Sequence, residues 1–321
     1  MKIKELKEGM LGVIEGVIVK IEEKTNKNDG TFLLITFSDG ENMVSGKKWN
    51  TKASELNLTA TQTAFFEVKA EMYKGNISYI IRDITESSSS PEQFICGAPI
   101  DSEKMYEFIY HTAGRCGVYA KVVQKILSDN KEKLMYWGAA HSMHHSIRGG
   151  LLYHTYRMVQ NAAYIANTYN KVPGMVAGAK VVNTELLVAG TILHDIGKLW
   201  ELESTKFGDS EYTSKGTLLG HLYIGAEIFG RYARAEKMKE EDVLLMQHMI
   251  LSHHGKQEYG AVVVPAITEA MILHEIDMID SRIYQFEINA NTVKSGEVTS
   301  KIHGLDQRVY RPSWRGPEDA N

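Results

Sequence analysis

His194 and Asp195 stand side by side in the apolar run Leu193-His194-Asp195-Ile196-Gly197-Lys198. An imidazole and a carboxylate cannot both be buried cheaply there without a shared partner, because an uncompensated buried carboxylate is normally paired, hydrogen-bonded or metal-bound. A divalent cation meets that need, and so would a structural His-Asp pair at a helix end. Further histidines and acids fall in apolar, helix-patterned stretches on both sides. These are His154 in Gly149-Gly150-Leu151-Leu152-Tyr153-His154-Thr155, His221 in Leu218-Leu219-Gly220-His221-Leu222, His253-His254 after Leu244-Leu245-Met246, and Asp277 in Ile272-Leu273-His274-Glu275-Ile276-Asp277. Neutral imidazole and carboxylate suit Zn, Mn, Fe, Co or Ni, and the absence of a cysteine pair argues against a thiolate structural zinc site. The expected site is catalytic.

The order His154, His194-Asp195, Asp277, with Lys198 three residues beyond Asp195, resembles the HD superfamily of metal-dependent phosphohydrolases, helical proteins acting on phosphate esters. His221, His253 and His254 resemble its two-metal subset. His144-His145-Ser146 ahead of Gly149-Gly150-Leu151-Leu152, His154-Thr155, and the barrel-like front segment described below narrow the resemblance to the YhaM-type 3'→5' exoribonucleases. It covers most of the chain, residues 5 to 285.

That resemblance implies that His154, His194, Asp195 and Asp277 hold one ion and that Asp195, His221, His253 and His254 hold the other, with Asp195 as bridge. The implied ions are two divalent metals, Mn foremost, with Fe, Co or Ni as alternatives. Lys198, one helical turn past Asp195, would hold a phosphate oxygen, although a solvated lysine near a helix end reads the same way. His145 would protonate the leaving group, and His144 and Arg148 would contact substrate phosphate or merely cap the helix. His274 and Glu275 share the stretch of Asp277 on other faces, which favours supporting or solvent roles. The Gly-Tyr-Pro signature of the cyclic-dinucleotide subset is absent after Lys198, and Gly150 stands where a third-metal Glu would be. The implied activity is metal-dependent 3'→5' hydrolysis of single-stranded RNA, or DNA, by an activated hydroxide, releasing nucleoside 5'-monophosphates. The alternative is a phosphohydrolase of small nucleotides or cyclic dinucleotides with a regulatory barrel.

The elements that must position these residues divide the chain. Residues 1–85 carry short β-patterned runs, Leu11–Ile21, Thr31–Phe37, Glu41–Trp49, Ala64–Met72 and Ile77–Ile84, separated by turns such as Asn28-Asp29-Gly30 and Ser38-Asp39-Gly40. Alternation with Asp-Gly turns predicts a small antiparallel barrel of the OB type, with Asn57–Thr63 as the turn or short helix before the fourth strand. Exposed aromatics on such a sheet stack on bases while cations track phosphate. Phe32, Phe37, Trp49, Tyr73 and Tyr79 with Lys47, Lys48, Lys74 and Arg82 are the candidates. Any one ring could equally be core, and Trp49 beside Lys47-Lys48 is the foremost substrate contact. Glu86-Ser87-Ser88-Ser89-Ser90-Pro91 opens a linker over 86–100. Residues 101–290 show helical periodicity, with helices expected near 101–113, 116–128, 150–169, 183–197, 217–234, 239–253 and 263–284 and loops over Lys171–Val182 and Trp200–Gly216. Residues 291–321 read as a polar tail, flexible or strapped to a neighbouring surface. The fold class is a small antiparallel β-barrel followed by an all-α helical bundle.

A chain of 321 residues with 43% apolar and 24% charged side chains is long enough for two cored domains. The net charge of −4 and pI of about 6.3 speak against binding a long polyanion through a broad basic surface, so nucleic-acid affinity must be local. No apolar stretch approaches a bilayer span and Met1-Lys2-Ile3-Lys4-Glu5 has no signal-peptide core, which predicts a cytoplasmic protein without membrane contact. Cys96 and Cys116 are too few for a disulfide framework. Homo-oligomerisation is compatible with the sequence.

Overall fold

In the computed structural model, residues 1–26, 30–73, 76–138, 147–172, 174, 177–206, 210–302 and 304–314 are described. Compact packing divides the chain at Gly97/Ala98.

The first unit is a closed five-stranded barrel. Its strands are β1 (Leu11–Thr25), β2 (Thr31–Ser38), β3 (Met43–Trp49), β4 (Thr63–Tyr73) and β5 (Asn76–Glu86), ordered β1-β2-β3-β5-β4. Every pairing is antiparallel except β3 with β5. This is the Greek-key arrangement of an OB-fold. Long β1 serves both neighbours, and the register shift between Ile18 and Lys20 lets it bend from β4 to β2. Alternate residues point inward, so Ile14, Ile18, Leu33, Ile35, Phe37, Phe66, Val68 and Ile81 fill the interior. Phe37, one of the sequence's ring candidates, is core: it stacks on Phe66 at 4.2 Å between centroids. The segment before β4 has a short 3-10 turn at Ala53–Glu55 and, within the expected Asn57–Thr63, a turn closed by the Gln62 amide donating to Thr59 O.

The serine run expected as a linker is fastened to the barrel. Ser87 and Ser89 hydroxyls donate to Glu15 Oε1 at 2.5 and 2.7 Å, and Thr63 Oγ1 donates to the carbonyls of Ser87 and Ser89. Phe94 then packs against Val17 and Val19, so the unit extends to Gly97. Polar side chains that look solvated in sequence are here consumed by local acceptors.

The second unit is helical: α1 (Ser102–Ala113), α2 (Ala120–Asp129), α3 (Lys131–Leu134), α4 (Gly150–Lys171), α5 (Thr184–Leu193), α6 (Lys198–Glu201), then a hairpin of β6 (Leu202–Ser204) and β7 (Ser210–Tyr212), α7 (Ser214–Ala235), α8 (Glu240–Ser252) and α9 (Thr268–Ala290). In α5 every residue from Leu186 to Leu193 is buried, as expected of a helix surrounded by others. Asn183 caps it, accepting from the amides of Glu185 and Leu186. The core of the unit gathers around it.

Four expectations shift. The helix predicted over 183–197 is regular only to Leu193, after which hydrogen bonds tighten to i→i−3, as in Ile196 N to Leu193 O and Lys198 N to Asp195 O. The last helix runs from Thr268 to Ala290 rather than 263–284, and the loop over 200–216 contains the β6–β7 hairpin. The polar tail is partly built: bridges Val298–Tyr310 and Ile302–Gln307 form a ribbon with Val309 and Thr299 buried. Among the described residues no helix is long and apolar enough to cross a membrane.

Candidate metal centre

His154 faces inward one turn into α4, whose first residues follow Gly149 in the left-handed region, φ 71°. His194 and Asp195 occupy the tightened turn after α5. His221 lies on α7, directly after a break at Gly220 (φ 69°, ψ 156°). His253 and His254 follow the end of α8, where Gly255 adopts φ 76° and donates its amide to Ser252 O. Asp277 projects from α9. Segments separated by up to 123 residues are thereby brought onto one point, and ligating atoms converge in three overlapping groups: His154-His194-Asp277, His194-Asp195-His253 and His221-His253-His254.

Asp195 lies between the sets. Its Oδ2 is 3.4 Å from His194 Nε2 and 3.9 Å from His154 Nε2, while Oδ1 is 3.4 Å from His221 Nε2 and 3.7 Å from His253 Nε2. Asp277 Oδ1 is 3.3 Å from His154 Nε2. His154, His194, Asp195 and His253 are buried, whereas His254 and Asp277 are half-buried, so solvent reaches the cluster on their side.

The imidazole tautomers follow from the other ring nitrogens. His194 Nδ1 donates to Thr191 O at 2.8 Å and His253 Nδ1 to Ile250 O at 2.8 Å. His154 Nδ1 donates to Asp280 Oδ2 at 2.8 Å, and His221 Nδ1 donates to Glu201 Oε1 at 3.0 Å. All four rings therefore turn Nε2 toward Asp195, the arrangement that metal-ligating histidines adopt. His154 Nε2 and His194 Nε2 are 3.3 Å apart, two lone pairs that repel unless a proton or a cation sits with them. Asp195 Oδ1, His221 Nε2 and His254 Nδ1 are buried without a hydrogen-bond partner among the described residues. Buried polar atoms are rarely left so, and here they aim at one place. The donor set fits borderline divalent ions.

The electrostatics agree. Burial opposes ionisation of Asp195, but Lys198 and His194 outweigh it and hold the carboxyl well below the usual range. Asp277 is held down likewise, against burial, by His154. Burial also disfavours a charged His154, yet Asp277 and Asp280 lift it to about 9. In His253 burial and the neighbouring His194 push the other way, well below the ordinary value. The carboxylates stay ionised, His154 favours its proton and His253 and His254 disfavour one, the state in which an incoming cation would displace a proton from His154.

Lys198 is buried and its Nζ donates to Asp195 Oδ2 at 2.6 Å, so its first partner is the central carboxylate, not free solvent. Trp137 Nε1 donates to Lys198 O and fixes that turn. Arg148 gives its carbonyl to the amide of Ala98, and among the described residues no hydrogen bond or ion pair joins it to the seven clustered groups. His144 and His145 lie outside the described residues. On the barrel, Lys47 Nζ sits 6.0, 5.6 and 5.7 Å from the ring centroids of Phe32, Trp49 and Tyr73. Trp49 and Tyr73 are exposed. Lys48 Nζ donates to Arg82 O.

Sequence reasoning missed the outer supports. Asp280 lies one turn past Asp277 on the same face of α9, a spacing that could have flagged it, and Arg157 Nε forms an ion pair with its Oδ1 at 2.7 Å. Glu201 carries no such signal. His274 Nδ1 donates to His253 O, tying α9 to the tandem-histidine turn.

Comparison with known proteins gives three findings. The HD domain family matches residues 151–282. The 3'-5' exoribonuclease YhaM of Listeria innocua serovar 6a is 30% identical over 298 residues, covering 90% of this chain and 91% of the relative. The protein of that name from Listeria monocytogenes serovar 1/2a has the same identity and coverage. Among solved structures, the second OB-fold domain of replication protein A from Methanococcus maripaludis aligns with TM-score 0.24 and 18% identity, over 28% of this chain and 96% of that one.

Proposed function

Because this chain belongs to the YhaM family of HD-domain 3'-5' exoribonucleases, we propose that it is a metal-dependent enzyme removing nucleotides from the 3' end of single-stranded RNA as nucleoside 5'-monophosphates. The observation that carries this reading is Asp195, whose two oxygens face two different histidine sets. His154, His194, Asp195 and Asp277 would hold one divalent ion and Asp195, His221, His253 and His254 a second, with Mn²⁺ the ion that the family resemblance implies. Such ions, when bound, supply an activated water and neutralise charge on phosphoryl oxygens.

The chain's own residues do the rest. Asp195 and Asp277, kept ionised, provide the negative charge that draws cations into a buried pocket. Four imidazoles, each with its Nδ1–H held by an acceptor, keep Nε2 turned toward Asp195, so little ring reorganisation is needed on binding. Lys198, its ammonium favoured by Asp195 against burial, adds a fixed positive charge beside the reacting phosphate. His145 and His144 remain proposed for leaving-group protonation and phosphate contact, and Arg148 for phosphate contact. The half-buried side at His254 and Asp277 is where substrate would enter. On the barrel, Trp49 and Tyr73 offer stacking faces around Lys47, with Lys48 nearby, a patch suited to single strands and local enough for an acidic chain.

A 5'-labelled single-stranded RNA incubated with the protein and Mn²⁺ should shorten stepwise from its 3' end. Asp195→Ala should abolish this while leaving binding of the oligonucleotide intact. Intact RNA alongside cleaved mononucleotides or cyclic dinucleotides would refute the assignment.

A further inference from the structure

Of the groups around the centre, Glu201 has a geometry that the ligand set does not account for. It is a carboxylate, 8% exposed, on the short helix α6 and outside the converging ligand groups. One oxygen, Oε1, accepts twice from a single residue: from His221 Nδ1 at 3.0 Å and from the His221 backbone amide at 3.0 Å.

The second bond is explained by the break in α7. Gly220, at φ 69° and ψ 156°, interrupts the helix so that His221 begins a new helical segment, and the first amides of a helix have no partner within it. Glu201 accepts from that amide as a capping side chain would, but from another element. It also places a negative charge at the positive end of the restarted helix. The first bond fixes the ring: with Nδ1–H held by a carboxylate, Nε2 is the lone pair, and Nε2 is buried, has no hydrogen-bond partner among the described residues and faces Asp195 Oδ1. One oxygen thus sets both the position of His221 along its helix and the tautomer of its ring. Glu201 is itself tied in place, since the Thr213 hydroxyl donates to its carbonyl and the Thr213 amide bonds the same oxygen.

We propose that Glu201 is the positioning residue of the second half-site, controlling the affinity of the ion held by His221, His253 and His254 independently of the ion held by His154, His194 and Asp277. The first half-site has its own support, Asp280 with Arg157, on a different helix. This inference rests on the two-half-site reading given above. It gives the chain separate supports through which the two affinities are set.

The test is Mn²⁺ titration of the full-length, chelator-stripped protein, with free Mn²⁺ followed by electron paramagnetic resonance and heat by calorimetry. Wild type, Glu201→Ala, Glu201→Gln and His221→Ala would be compared. Wild type should take up two ions. Glu201→Ala should keep one binding class unchanged and weaken the other about 10- to 100-fold, the usual effect of removing such a support. Glu201→Gln should be intermediate, because its amide oxygen can accept both N–H groups but brings no charge. It also carries the test if the alanine variant does not fold, as judged by circular dichroism. His221→Ala should weaken the same class as Glu201→Ala. Two wild-type affinities in both Glu201 variants, or equal weakening of both classes, would overturn the proposal. A wild type that takes up fewer than two ions would overturn the two-half-site reading first, and is recognised without any variant.

Discussion

Replacing Gly197 with alanine should damage the centre from a position that ligates nothing. Gly197 sits at φ −60° and ψ −22°, ordinary helical angles, so its backbone does not require glycine. Judged locally, alanine would even be favoured by about 0.5–1 kcal/mol. What forbids it is proximity: a Cβ there would lie 2.0 Å from the His221 carbonyl oxygen and 2.8 Å from both the His221 carbonyl carbon and the Gly225 amide nitrogen. These are backbone atoms of α7 that cannot rotate away, so the two segments must part by about 1 Å or more to reach ordinary contact. Overfilling a packed contact costs about 1–3 kcal/mol, which, set against the propensity gain, leaves a net loss of up to about 2.5 kcal/mol. The same displacement carries His221 from Asp195, now 3.4 Å away, and a misplacement of about 1 Å can cost on the order of 100-fold in rate. Urea denaturation gives the stability change, and the rate of shortening of a 5'-labelled RNA gives the activity. A variant within twofold of the wild-type rate and equally stable would refute the claim that the Gly197 contact sets the spacing of the His-Asp turn and α7.

Two further outcomes are expected. In an Asp195→Ala background, Trp49→Ala should weaken single-stranded RNA binding by about 1–3 kcal/mol, the usual worth of one stacked base, and Lys47→Ala should flatten the salt dependence by about one unit. Fluorescence anisotropy over a salt series checks both, and unchanged binding would remove the barrel patch from the substrate path. In the metal-free protein the charge on His154 is held above its ordinary value, at about 9, so its contribution to stability is complete below about pH 6.5 and is lost as pH rises through 9. Denaturation midpoints of chelator-treated protein should therefore fall between those limits. Mn²⁺, by taking the place of the proton, should remove that slope, and a flat profile without metal would contradict the assigned His154 environment.

The sequence by itself determined the two-part architecture, because hydrophobic alternation and helical periodicity are local properties of a strand or helix. It also exposed all seven clustered groups, since a histidine or aspartate inside an apolar run is anomalous wherever the chain later folds. Where the helix after Thr184 stops, why the serine run is not a free linker, and which rings on the barrel are core were decided by packing, as Leu193, Ser87 and Phe37 show. Only the tertiary structure joined His154 to Asp280 across 126 positions and Glu201 to His221 across a broken helix. Hydrogen bonds of that kind depend on ångström-scale approach between elements, and spacing within one element can mark a residue as facing the site but does not say which partner from another element it meets.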